Sequence, residues 1–363
     1  MAGPDPAVAQ IRRAVRPALT ASDEPVLVAC SGGADSLALA AAVAFEAPRA
    51  GVRAGAVTVD HGLQPGSAAR AEGTATLLRN LGLAPVTVVR VEVGQDGGPE
   101  AAARTARYRA LRTAAAEHGA RIALGHTLDD QAETVLLGLG RGSGPRSVAG
   151  MVAQRPPFWR PLLGIRRATT RAACAALELP VWDDPWNDDP AYTRVRLRTE
   201  ALPLLEDVLG GGVGPALART AGLLREDLDL LDALARAELD RLADGRGLPA
   251  RATAALPIAL RRRVLRGWLQ AAAVPDLQAV HLAAVDALLT DWRGQGRVDL
   301  PGGAGVVRTS GRLALLPPDD RGGHPGEVPD DLEEPDPLSE LASSPVSTAP
   351  SGTRPTSVSE ENA

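Results

Sequence analysis

Lysine is missing altogether: all 39 basic side chains of this 363-residue chain are arginine. That absence excludes a Walker-type phosphate loop, Gly-x-x-x-x-Gly-Lys-[Ser/Thr], whose lysine reaches the β- and γ-phosphates. It also excludes chemistry built on an internal Schiff base, hence pyridoxal-phosphate and lysine-aldolase mechanisms. Cysteine is nearly as scarce, with only Cys30 and Cys174. Two distant cysteines without a Cys-x-x-Cys pair argue against a disulfide framework, a cysteine-built zinc site or a cluster, and fit a reducing cytoplasm. No apolar run approaches the ~18 residues of a membrane span, and no basic start followed by an apolar core marks a secretory signal. The expectation is a cytoplasmic protein without a membrane partner. Abundant Ala, Arg, Gly and Pro read as GC-rich coding bias.

The whole chain carries 44 acidic and 39 basic side chains, a net charge of −5. Residues 319–363 hold 11 of the acidic and 2 of the basic ones, leaving 33 and 37, or +4, on residues 1–318. An acidic tail thus masks a mildly basic body, compatible with a nucleic-acid partner. From Pro317 onward Pro, Ser, Asp and Glu dominate without any apolar period, so residues 318–363 are expected to be disordered.

Short β-rich runs alternate with helical ones through the first half. Strands are predicted at 25–29, 55–59, 86–91 and 121–125, and helices at about 35–47, 66–82, 99–119 and 129–140. The alternation implies an α/β fold: an open, mostly parallel sheet with helices on both faces. A Pro- and Trp-rich stretch, 155–189, leaves this pattern, a short helix fits 197–210, and Gly210-Gly211-Gly212 marks a boundary. The expected domains are 1–210, catalytic, and 211–317, smaller and mainly helical. In the latter Leu217, Leu224, Leu228, Leu231 and Leu234 recur at helical spacing, helices fit 257–273 and 276–292, and 296–316 reads as one or two hairpins.

Ligands in open α/β sheets bind beyond the carboxyl ends of the strands. The first, second and fourth predicted strands end directly in Ser31 to Ser36, Asp60-His61 and His126, which describes one site. In Cys30-Ser31-Gly32-Gly33-Ala34-Asp35-Ser36 the glycines let backbone N–H groups approach an anion, and the helix start adds a favourable dipole. Ser31 and Ser36 add hydroxyl donors. Asp35 makes sense beside a bound divalent cation that carries the phosphates' countercharge. The plain alternative is a Gly-rich turn capping a helix.

Each further constellation has a plain and a chemical reading. Asp60-His61 is a solvated turn or lies near a nucleotide. Glu100, Arg104 and Tyr108 share a helix face as an ion pair with a half-buried ring, or Arg104 or Arg107 holds phosphate. Thr127 and Asp130 form a capping box, which leaves His126 and Glu133 unexplained. Asp130 and Glu133, three apart, can present two carboxylates to a cationic group or metal. Arg141-Gly142-Ser143-Gly144 is a helix end or a basic loop closing over a phosphorylated substrate. Arg194, Arg196 and Arg198 form a salt-bridge cluster or track an RNA backbone, with Tyr192 or Trp186 for stacking.

Ser-Gly-Gly-x-Asp-Ser resembles the pyrophosphatase loop of the ATP-pyrophosphatase (PP-loop) superfamily, whose fold is adenine-nucleotide-hydrolase-like. Val59 to Leu63, Glu100 to Tyr108, Gly125-His126-x-x-Asp129-Asp130-Gln131-x-Glu133-Thr134 and Arg141 to Gly144 make the series similar to the tRNA(Ile)-lysidine synthase family. Gly150-Met151, Arg160-Pro161-Leu162-Leu163, Asp184-Pro185-x-Asn187 and Arg194-x-Arg196-x-Arg198 continue the match. It covers about residues 25–205 well and the second domain more loosely. Gln64 stands where that family usually has arginine, and the acidic tail has no counterpart.

The resemblance implies modification of the wobble cytidine of an isoleucine tRNA with a CAU anticodon. ATP adenylates the cytosine O2 and releases pyrophosphate, and the ε-amine of free L-lysine then displaces AMP, so that AUA is read instead of AUG. Under this reading Ser31, Gly32, Gly33, Ala34, Asp35, Ser36, Asp60 and His61 hold ATP, with Asp35 near Mg²⁺. Asp130 and Glu133 receive lysine's cationic groups. Carboxylates raise an ammonium's pKa while the attacking amine must be neutral, so His126, Asp130 or Glu133 accepts a proton. Arg104, Arg107, Arg141, Arg194, Arg196, Arg198, Arg262 and Arg266 are left for phosphate or tRNA. The last two, four apart, share a helix face different from that of Leu260, Val264 and Trp268 and expected to be exposed, and a solvated basic face is their plain alternative. Rival readings are a tRNA thiolation enzyme, a small-molecule amide ligase and a non-catalytic RNA-binding protein.

Overall fold

The computed structural model describes residues 3–94, 99–142 and 144–317, without the side chains of 99–101. The disorder expected of 318–363, the Ser143 position of the basic loop and the Glu100 side chain lie outside the described residues.

The chain opens with α1 (Pro6–Thr20), a helix absent from the predicted set although its signals are local. The Asp5 carboxylate accepts from the Ala7 N–H at 2.8 Å, and Val8, Ile11, Val15 and Leu19 recur at helical spacing on the buried face. There follow β1 (Val26–Ala29), α2 (Ala34–Glu46), β2 (Ala54–Asp60), α3 (Ser67–Asn80), β3 (Val86–Arg90), α4 (Pro99–His118), β4 (Arg121–Leu124) and α5 (Leu128–Arg141). These agree with the predicted elements to within a few residues. The Pro/Trp-rich stretch supplies what periodicity did not: α6 (Pro145–Val148), the two-residue strands β5 (Gln154–Arg155) and β6 (Phe158–Trp159), and α7 (Arg167–Ala176).

The sheet order is β3-β2-β1-β4-β6-β5, parallel except for β5 against β6. All four residues of β1 are buried, as a central parallel strand covered on both faces requires. Alternation splits them: Val26 and Val28 face a core shared with α1, α2 and α7, whereas Leu27 and Ala29 face Tyr108 and Leu111 of α4. Chain progression runs from β1 one way to β2 and the other way to β4. The β1–β4 crevice is therefore the topological switch point, where open sheets bind ligands.

Helix α5 is pressed so closely on α6 that a Cβ at Gly138 would lie 2.2 Å from the Ser147 carbonyl oxygen. Backbone cannot yield there as a flexible side chain would. Gly138→Ala is expected to cost about 1–3 kcal/mol by overpacking, read as a fall of several degrees in Tm. An unchanged melt would mean that α6 moves aside freely.

Two short helices, α8 (Thr193–Arg196) and α9 (Leu202–Val208), are joined by a π-turn at Leu197–Ala201. Gly210, Gly211 and Gly212 all take positive φ, which turns the chain into α10 (Val213–Leu242). This 30-residue helix packs against α5 on one side and against α12 (Ile258–Ala271) on the other, so it ties the two parts together. The second part adds β7 (Leu248–Pro249), α11 (Ala250–Ala254), α13 (Ala279–Thr290), β8 (Val298–Asp299), β9 (Gly305–Thr309) and β10 (Arg312–Leu316). Its antiparallel sheet, β7-β10-β9-β8, closes on Val264, Leu265, Val285 and Leu313.

Candidate active site

The chain leaves β1 into Cys30–Ser36 at the switch point. Gly32 has φ +88°, and Ser36 braces the turn by accepting from the Ser31 N–H at 3.2 Å and donating to the Gly33 carbonyl at 2.9 Å. Gly33 begins α2 with no side-chain cap, which leaves first-turn N–H groups for an anion. Ser31 and Gly33 line a cavity of about 380 Å³ whose other walls include Asp60, His61, Arg107 and Trp182.

Arg107 decides the character of this cavity. Burial lowers its pKa, and among the described residues it makes no ion pair or hydrogen bond. A half-buried guanidinium on the wall of a cavity that an uncapped helix start also borders suits an anion. Arg104, one turn earlier, instead lies over the Tyr108 ring and donates to its hydroxyl at 3.1 Å. Asp60 is kept ionised by a hydrogen bond from Ser67 and by the Gly62 N–H at 3.0 Å, so it shapes the turn. Burial, helped by Arg107, keeps His61 neutral.

A carboxylate group lies on the β4 side. Gly125 permits it: a Cβ there would stand 3.1 Å from the Asp35 backbone. Thr127 caps α5, and Asp130 accepts from the Thr127 N–H at 2.7 Å and hydroxyl at 2.8 Å. Asp130 Oδ1 meets Arg167 Nη2 at 2.5 Å. Burial alone would raise the Asp130 carboxyl, but Arg167 and the hydrogen bonds from Thr127 hold it below its ordinary value. Asp35 accepts from the Thr170 hydroxyl and from Arg167 Nε at 3.4 Å, and burial pushes its carboxyl up. His126 is pushed well below its ordinary value by burial and then by Arg160, so it is neutral, and among the described residues its buried Nδ1 has no partner.

Several expectations change. Glu133 is fully buried and its oxygens are taken by Arg198 at 2.9 and 3.3 Å, with Arg194 at 3.8 Å. Its charge anchors the 193–198 segment and is not free for a ligand. The reading of Arg194, Arg196 and Arg198 as a strip along RNA assumed extended backbone, where alternate residues share a face. The segment is helical, so Arg194 and Arg198, four apart, turn inward, while Arg196 is exposed and pairs with Glu200 at 3.0 Å. On α12, Arg262 is exposed and reaches Asp286 at 3.4 Å, whereas Arg266 is half-buried against the Leu277 carbonyl at 3.4 Å. Arg141 is exposed at the end of α5. Sequence reasoning missed Arg167 and Thr170, which lie on α7 in the stretch without clear periodicity. It gave Asp129 only a place in the His126–Thr134 motif, whereas Asp129 caps α7 by accepting from the Arg167 N–H at 2.8 Å.

A cavity bordered by a glycine turn, an uncapped helix start, hydroxyls and Arg107 on an open parallel sheet, in a chain without lysine, fits the PP-loop ATP-pyrophosphatase class. Residues 6–205 match the family model described as a PP-loop domain, and residues 248–314 match the TilS substrate binding domain. The chain is 54% identical over 348 residues to the tRNA(Ile)-lysidine synthase of Streptomyces coelicolor, covering 86% of this chain and 99% of that one. It is 57% identical over 308 residues to the enzyme of that name from Leifsonia xyli, covering 83% and 92%. The chain belongs to the tRNA(Ile)-lysidine synthase family. A U34-tRNA thiolase from Methanococcus maripaludis, solved with its [4Fe-4S] cluster, shares the fold at TM-score 0.50 and 18% identity, over 60% of this chain and 80% of that one.

Proposed function

We propose that this chain adenylates the wobble cytidine of an isoleucine tRNA with a CAU anticodon and joins free L-lysine to it in the cytoplasm. The observation that carries the reading is that one turn borders both the cavity and the carboxylate cluster. Ser31 and Gly33 line the nucleotide cavity, while Asp35, two residues on, stands with Asp130 around Arg167.

In the first half the cytosine O2 attacks the α-phosphorus of ATP and the bond to pyrophosphate breaks. The amides of Gly32 to Ser36 and the guanidinium of Arg107 hold the charge that develops there. In the second half the lysine ε-nitrogen attacks C2, the C2–O2 bond breaks, and AMP departs with that oxygen. Asp130, ionised at the start of α5, draws the ammonium in, and neutral His126 takes the proton that the attacking nitrogen must lose. Glu133 acts behind them by fixing Arg198 and Arg194.

Asp35 would suit a Mg²⁺ ion: it is the one carboxylate of the turn, and a cation beside it would offset the burial that pushes its carboxyl up. When bound, such an ion neutralises charge on the phosphates. Exposed Arg141, Arg196 and Arg262 are the proposed contacts to tRNA phosphates.

The test follows α-labelled ATP during turnover with tRNA and lysine. AMP and pyrophosphate are the expected products. Tracer appearing as ADP would overturn the reading.

A further inference from the structure

Arg167 is the first residue of α7, and each nitrogen of its guanidinium faces a different carboxylate. Nε lies 3.4 Å from Asp35 Oδ2, Nη2 lies 2.5 Å from Asp130 Oδ1, and Nη1 lies 3.5 Å from Glu133 Oε1. The side chain is only 20% exposed, and although burial disfavours its charge, the surrounding carboxylates raise its pKa above that of a free arginine. Glu133 has Arg198 besides, and Asp35 has Thr170. Asp130 Oδ2 is held by Thr127, so Oδ1 is the oxygen left to a cation, and among the described residues Arg167 holds it.

We propose that Arg167 is a gate on the lysine seat. This rests on the reading that gives Asp130 to the lysine ammonium. With Arg167 Nη2 at 2.5 Å on Oδ1, an ammonium arriving at that oxygen would sit beside a like charge that repels it. Lysine is therefore held best once Arg167 has left Asp130. The force that moves it is beside it: Asp35 belongs to the phosphate turn, and a guanidinium binds phosphate through two parallel bonds better than it binds a single carboxylate oxygen. ATP on the turn draws Arg167 from Asp130 and opens the seat, so lysine binds after the nucleotide that will activate its target. Arg167 acts through Asp130 and touches no reacting atom, which makes it a positioning residue.

The test is equilibrium binding of labelled L-lysine to the full chain, with and without α,β-methylene-ATP, whose α–β bridge is not cleaved. For the unaltered chain the analogue is expected to tighten lysine binding by about tenfold or more, the size of an ordinary coupling between sites. For Arg167→Gln, binding without the analogue is expected to tighten to about the level that the unaltered chain reaches with it. A structural role for Arg167 predicts the opposite sign, because loss of a support weakens binding. Arg167→Lys keeps a cation on Asp130 and should retain the nucleotide dependence. If Arg167→Gln melts early, the comparison rests on the unaltered chain and Arg167→Lys. Tight lysine binding to the unaltered chain without nucleotide, or equal affinities with and without the analogue, overturns the gate and leaves the proposed function standing. Lysine that binds no form of the chain under any condition overturns the lysine seat and the gate together.

Discussion

Asp35→Ala is expected to slow tRNA-dependent pyrophosphate release by about a thousandfold, or ~4 kcal/mol of barrier. The carboxylate is the one acidic group in the phosphate turn, and it connects that turn to Thr170 and Arg167 on α7. Its removal takes away the proposed ligand for the ion on the phosphates and leaves Arg167 to Asp130 and Glu133 alone. Alanine is a strong helix former near the start of α2, so the fold and tRNA binding should persist. Measuring pyrophosphate release beside tRNA binding separates the effects. Activity within about threefold of the unaltered chain, under ~1 kcal/mol, would mean that this turn is not where ATP is split.

Asp130→Asn is expected to stall the second half of the reaction. Adenylated tRNA should accumulate while lysine incorporation falls by about a hundredfold, ~2.7 kcal/mol. The asparagine carbonyl can still accept from the Thr127 N–H, now bonded at 2.7 Å, so the beginning of α5 should hold. What disappears is the negative charge that faces Arg167 at 2.5 Å and that the proposal assigns to lysine. Single-turnover measurement of each half-reaction discriminates. Equal losses in both would place Asp130 on ATP or its ion.

The legible part of the molecule was the part with local periodicity. β1 to β4 and α2 to α5 follow from apolar spacing and from Gly and Ser at their ends, each readable within a dozen residues. The turn after β1 and the capping box at Thr127 are local in the same sense. α1 was equally local in its signals and went unread, whereas α7 lies in a stretch of prolines and tryptophans where two-residue strands leave no period. Arg194, Arg196 and Arg198 show how residues that look aligned in the sequence part in the fold. The same three arginines lie in line on extended backbone and diverge on a helix.

By itself the sequence determined the chemical vocabulary: no lysine, so arginine and backbone amides must hold phosphate, and polar residues at three strand ends of one parallel sheet. It also determined β1 to β4 and α2 to α5, because those choices depend on neighbours a few positions away. The tertiary structure decided who meets whom. Arg167 reaches Asp35 across 132 positions and Asp130 across 37, and Arg198 takes Glu133 across 65. Such meetings depend on how every layer packs against the sheet, and no local period encodes that. For this reason Glu133 could be read as a ligand seat from its spacing, and only the packed fold shows it already held by arginines of the same chain.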